Sequence, residues 1–163
     1  MTEETFPMTP AGREKLRAEL KQIKEVDRLE NVREIEEALA HGDLRENAEY
    51  HSAKERQAFL ASRMKYLEYR ISRANVIDPE KTKSKKVAFG ATIALLNLDT
   101  DETVVYSLVG EDESDASLGK ISINSPIARA LIGKESGDEI VVNLPKGACE
   151  FELASVEYKA IKP

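Results

Sequence analysis

The chain has 163 residues, 33% charged and 41% hydrophobic, with a formal net charge of −6 from 24 basic and 30 acidic side chains. That acidic balance excludes a protein held on duplex nucleic acid by charge alone, because phosphate binding needs a basic footprint. A single cysteine, Cys149, excludes an internal disulfide and a cysteine-based zinc cluster, and two histidines are too few soft ligands for a transition-metal enzyme. No run of about 18 apolar residues occurs, and the opening MTEETFPMTP has no apolar signal core. Neither a membrane span nor a secretory leader is expected, and a cytoplasmic location is.

In chain order, the first element is announced by Thr9-Pro10, an N-cap residue followed by proline at the first helical position. From Gly12 to Ala74 proline is absent, and apolar residues recur at helical spacing. The first arm carries Leu16, Leu20, Ile23, Val26, Leu29, Val32, Ile35 and Leu39; the second carries Tyr50, Ala53, Leu60, Met64, Leu67, Ile71 and Ala74. His41-Gly42 predicts the end of the first helix, and Asp43 is a candidate cap for the second. A connection this short forces antiparallel helices. Pairing residues whose numbers sum to about 87 closes an apolar seam, with Leu67 facing Leu20 and Met64 facing Ile23. Each arm of about 30 residues reaches about 45 Å at 1.5 Å per residue. Residues 1–77 are therefore expected to form a coiled-coil hairpin with its tip at about 41–47.

Residues 78–86, with Lys81, Lys83, Lys85 and Lys86, read as a linker. Beyond it the grammar changes to short β runs at 91–98, 103–109, 139–144 and 149–158. One helical piece, 125–134, is opened by Ser125 and Pro126 and ended by Gly133. The fold class is α+β: a helical hairpin followed by a small sheet of four or five strands carrying one helix over 87–163. Phe89, Tyr106, Phe151 and Tyr158 are its only aromatics, and the core can need all four. Cys149 is expected to be buried in a strand, and His41 and His51 to serve at the surface or in packing.

A two-helix hairpin buries a single seam, so a 45 Å projection is made to reach something, and its tip matters most. The tip reads HGDLRENAEY, with Asp43 and Glu46 three apart. This spacing fits a capping box, in which Asp43 caps the second helix and Glu46 reaches back to it. It also fits a pair of hard oxygen ligands for Mg²⁺, an ion that commonly takes one or two protein carboxylates and completes its shell elsewhere. Arg56, Arg63 and Arg70 repeat every seven residues without an acid three or four positions away on their own helix. In the register above they face Asn31, Lys24 and Arg17, so this flank is expected to be basic and unneutralised, with Asn31 at the surface.

The segments HGDLRENAEYHSAKE (41–55), FGAT (89–92), VGEDESD (109–115) and NSPIARALIGK (124–134) resemble the GreA/GreB family of bacterial transcript cleavage factors, in order and over essentially the whole chain. The resemblance implies that the second half is an FKBP-like domain that docks on RNA polymerase, and that the hairpin enters the polymerase's secondary channel. It implies that Asp43 and Glu46 act in trans, helping to hold the second catalytic Mg²⁺ while the polymerase hydrolyses the 3′ end of backtracked RNA. The chain would then be no enzyme itself but a donor of carboxylates, and its one cofactor an Mg²⁺ ion shared with the polymerase in the complex. By the same resemblance Arg45, Lys54, Tyr50 and Arg56 are candidates for contact with RNA or the channel, and Asn124, Ser125 and Pro126 for docking beside the acidic loop 110–117. Leu39 stands where relatives usually carry a basic residue, which implies a weaker grip on RNA, and Leu29 where they carry a proline. Monomeric function is expected, since the channel admits one hairpin. The rivals are a channel-binding regulator without cleavage activity, a coiled-coil adaptor or chaperone, and a prolyl isomerase, for which the aromatics are too few.

Overall fold

The structure, a computed structural model, describes residues 4–42 and 47–162. Asp43, Arg45 and Glu46 lie outside the described residues. Contacts divide the chain into two compact units, Glu14–Arg73 and, from both sides of it, Met1–Arg13 with Ala74–Pro163. Among the described residues no helix is long and apolar enough to cross a membrane.

The helical unit begins in α1 (Pro10–Gln22) and runs through a π-helical turn (Ile23–Asp27) into α2 (Arg28–Ala40). Gly42 follows at φ +101°, a left-handed conformation that favours glycine at a helix end. The return helix α3 (Ala48–Ser72) is capped by Asn47, whose side chain accepts a hydrogen bond from the Tyr50 N–H at 3.0 Å. This corrects the expected cap at Asp43: α3 starts later in the chain, at Ala48, under a different residue.

The seam is narrower and more polar than periodicity suggests. Leu16, Ile23, Asn31 and Ala38 are buried on the first arm, and Ala53, Leu60, Leu67 and Arg70 on the second. Val26, Leu29, Val32 and Leu39, expected in the seam, are exposed, and Ala74 lies in a strand. The π-helical turn is the physical reason. There the Arg28 N–H donates to the Ile23 carbonyl five residues back, so the helix takes in one extra residue and its phase shifts. Buried positions therefore step from 16 to 23, then by eight to 31, then to 38. Without that step, sevens from Leu16 and Ile23 would carry Glu30 and Glu37 into the seam and bury unpaired charge.

In the second unit β1 (Phe6–Met8) pairs in parallel with β2 (Ala74–Val76), so the chain leaves for the helices and returns from them on adjacent strands. The start of α1 is held here. Thr9 Oγ1 accepts from the Gly12 N–H at 3.0 Å, and the Glu113 carboxylate accepts from the Thr9 N–H at 3.0 Å, the Gly110 N–H at 3.2 Å and the Thr9 hydroxyl. A Cβ on Gly12 would stand 2.1 Å from the Glu113 carboxyl carbon, which makes glycine a requirement of this close approach.

The main sheet has five strands in the order β5-β4-β3-β7-β6: β3 (Thr92–Asn97), β4 (Thr103–Val109), β5 (Lys120–Ser122), β6 (Glu139–Leu144) and β7 (Gly147–Glu157). All pairs are antiparallel except β4 with β5. Val87, Ile93, Leu95, Leu108, Leu131 and Leu153 lie at the heart of the hydrophobic core, with Phe151 inside it and Tyr106 and Tyr158 packed against it. The single helix α4 (Pro126–Leu131) lays Ala128 and Leu131 on that core. Cys149 is half-buried on β7. Residues 78–86 are tied at several points: Asp78 caps a 3-10 turn (Pro79–Lys81), and Lys86 forms an isolated β-bridge with Glu135. The Tyr158 hydroxyl donates to the Lys86 carbonyl and accepts from the Ala88 N–H at 3.0 Å, and burial pushes its pKa up.

Candidate functional site

Around the hairpin connection, α2 ends at Ala40 and α3 begins at Ala48. Asn47 does two jobs between them. Its Oδ1 caps α3, and its Nδ2 donates across the seam to the Ala38 carbonyl at 2.6 Å. Asn47 holds the cap position of α3; Asp43 and Glu46, which spacing put in a capping box, precede it in the chain and lie outside the described residues. At the described ends of the two helices, exposed His41 Nε2 stands 3.6 Å from Glu49 Oε2. Tyr50 is half-buried in the first turn of α3, its ring centroid 5.8 Å from that of exposed His51. Lys54 is exposed, one turn further along, and donates to Gln57 Oε1 at 2.7 Å.

The expectation of an unneutralised basic flank is overturned. Arg56 pairs with Glu34 and lies 3.7 Å from Glu30, while Arg63 makes a two-pronged bond to Glu19 at 2.7 and 2.9 Å. Lys24 meets Glu68 at 3.1 Å, and Arg70 is buried. The acids sit on the facing helix, diagonal to the arginines, where a search along one helix does not look. Asn31 is likewise not a surface residue: it is 1% exposed, and its Nδ2 donates to the Ala53 carbonyl at 2.9 Å.

In the β unit the structure brings the expected docking residues together. Ser125 caps α4 by accepting from the Ala128 N–H at 3.2 Å, Pro126 occupies the first helical position, exposed, and Asn124 is exposed before them. The Asn124 side chain donates to the Glu111 carboxylate, so the acidic loop does lie against this segment. Sequence reasoning missed Glu113, one acid of that loop, which turns inward to hold Thr9 rather than outward to solvent. The local signal is a Glu three residues after Gly110, which accepts from the Gly110 N–H as in a capping box; its bond to Thr9, 104 residues away, leaves no mark in the nearby sequence.

A helical hairpin with acids in its connection, together with a five-stranded β unit bearing one short helix, defines a two-unit α+β factor. Residues 6–76 match the family "Transcription elongation factor, N-terminal", and residues 81–158 match "Transcription elongation factor, GreA/GreB, C-term". The chain is 54% identical over 157 residues to the transcription elongation factor GreA of Helicobacter hepaticus, covering 96% of each chain. It is 49% identical over 160 residues to that of Francisella tularensis subsp. novicida, covering 98% of this chain and 100% of the relative. Among solved structures, the GreA factor homolog Gfh1 of Thermus thermophilus aligns over 94% of this chain and 99% of that one, at 25% identity and a TM-score of 0.43. The chain belongs to the GreA/GreB family of transcription elongation factors.

Proposed function

We propose that this elongation factor stimulates RNA cleavage by RNA polymerase in backtracked complexes, with the hairpin entering the secondary channel and the β unit docking outside. The observation that carries the reading is that this GreA/GreB-family chain places two carboxylates, Asp43 and Glu46, in the short stretch of sequence between the end of α2 at Ala40 and the start of α3 at Ala48. Two carboxylates are the hard-oxygen donors that Mg²⁺ takes, and the donor chemistry fits a shared ion. Among the described residues no group of three or more His, Cys, Asp or Glu side chains is placed to hold a metal. When bound, such an ion supplies polarisation of an attacking water or a leaving oxygen at the phosphodiester.

The chain's own groups divide the remaining work. Asp43 and Glu46 add ligand charge, Arg45, Lys54 and Tyr50 face RNA or channel wall, and Arg56 reaches a phosphate only by exchanging its bonds to Glu34 and Glu30. Asn124, Ser125 and Pro126 form the docking edge with Glu111. The protein then acts as a monomer and donates ligands rather than running a reaction of its own.

The test is a cleavage assay on a stalled, backtracked complex with and without the protein. Stimulation is expected, and Asp43→Asn or Glu46→Gln should lower it at least ~10-fold, about 1.4 kcal/mol in barrier, with little change in half-maximal concentration. Added Mg²⁺ should partly rescue both. Wild-type cleavage by both variants defeats the metal-donor role, and binding without stimulation by the wild type identifies a non-cleaving channel regulator instead.

A further inference from the structure

Asn31 is the one uncharged polar side chain buried in the hairpin among the described residues, 1% exposed between Ile23 and Ala38 on the seam face. Its Nδ2 donates to the carbonyl of Ala53 on the opposite helix at 2.9 Å. Nearer the connection, Asn47 Nδ2 donates to the Ala38 carbonyl at 2.6 Å. The paired residue numbers, 31 with 53 and 38 with 47, add to 84 and 85. Both bonds therefore specify the same antiparallel register. Apolar contacts alone specify it poorly, because a slip by seven residues presents another apolar layer, whereas a buried amide that loses its cross-helix bond and keeps only the longer 3.4 Å one to Glu34 on its own helix penalises the slip.

Register matters more in a hairpin than in two separate helices. The midpoint of the pairing is half the sum, so it falls at Gly42 or just beyond it. A slip that raises the sum by seven moves the midpoint by about 3.5 residues, about one helical turn, toward Glu46. We infer that Asn31 is a positioning residue: its bond to Ala53 locks the register and thereby selects which residues of the connection stand at the hairpin's end. The π-helical turn at Ile23–Asp27 belongs to the same device, since its extra residue is what brings Asn31 rather than Glu30 onto the seam. The consequence for activity rests on the cleavage reading above; the register lock itself does not.

The experiment uses the full chain in a Cys149→Ala background, with spin labels on cysteines at exposed Lys21 and Glu55. A one-heptad slip changes the axial spacing of the labels by about 10 Å. The parent should give one narrow distance. Asn31→Leu should keep or raise the melting temperature while adding a second, displaced distance. Without labels, the same variant should lower maximal cleavage at least ~3-fold and leave half-maximal concentration within about 2-fold, a split that general destabilisation does not produce. Asn31→Ala, which cannot overpack the seam, decides by the same readouts if the leucine variant does not fold. A single parental distance in the folded variant overturns the register lock. If the unlabelled wild type stimulates no cleavage, the functional reading fails by itself, and the distance distributions still decide the role of Asn31.

Discussion

The two units are stabilised in different ways. The β unit is built on an apolar core in which Leu95, Leu108, Leu131 and Leu153 are fully buried and bring no polar group to satisfy. The hairpin has one seam, holds a buried asparagine and a buried arginine in it, and ties its flanks with Arg56–Glu34, Arg63–Glu19 and Lys24–Glu68. Burial supplies energy without choosing a register, whereas directional bonds add little energy and choose a register well. In the β unit the buried polar groups, such as Glu113 at the start of α1, stand beside a large apolar core; in the hairpin they sit in the seam itself and specify its register.

The largest effect should come from the core. Leu95→Ala should cost about 2–5 kcal/mol of unfolding free energy in a denaturant titration. Leu60→Ala, in a seam bordered by solvent that can close over the gap, should cost about half as much. Equal losses at the two sites would break the comparison.

Next comes the anchor at the start of α1. Gly12→Ala places a methyl against the Glu113 carboxylate and displaces it from Thr9 and Gly110, which should cost about 1–3 kcal/mol. In a Glu113→Ala background the same substitution should cost much less. A double-mutant cycle measures that coupling, and additive losses would remove Glu113 from the account.

The smallest stability effect belongs to the edge at Pro126 proposed for docking. Pro126→Ala should change stability by well under ~1 kcal/mol, since proline at the first helical position is easily kept or lost. Half-maximal concentration for cleavage should nonetheless rise several-fold and maximal cleavage recover at saturation, with Asn124→Ala behaving alike. Unchanged concentration dependence would return this edge to a structural role.

The helices, four of the five main strands, the α4 cap at Ser125 and the stop at Gly42 were legible because each is encoded by neighbours: a cap, a proline, a glycine, a period of two or of about 3.6. Asp43 and Glu46 lie outside the described residues. The short strand β5 was not legible, being three residues whose partner lies on β4. Nor were the partners of Arg56 and Arg63, 22 and 44 residues away on the facing helix.

What the sequence by itself determined is the longer elements, the hairpin helices and four of the main strands, and the place of Asp43 and Glu46 in the chain between two helices. What only the tertiary structure decided is which face of the first arm is buried and in what register. Periodicity assumes a constant turn, and a single π-helical turn resets the phase, so Leu29 and Val32 face solvent while Asn31 enters the seam. The penalty for burying Glu30 and Glu37 exists only once a second helix covers that face, and so it is invisible to any count along one chain segment.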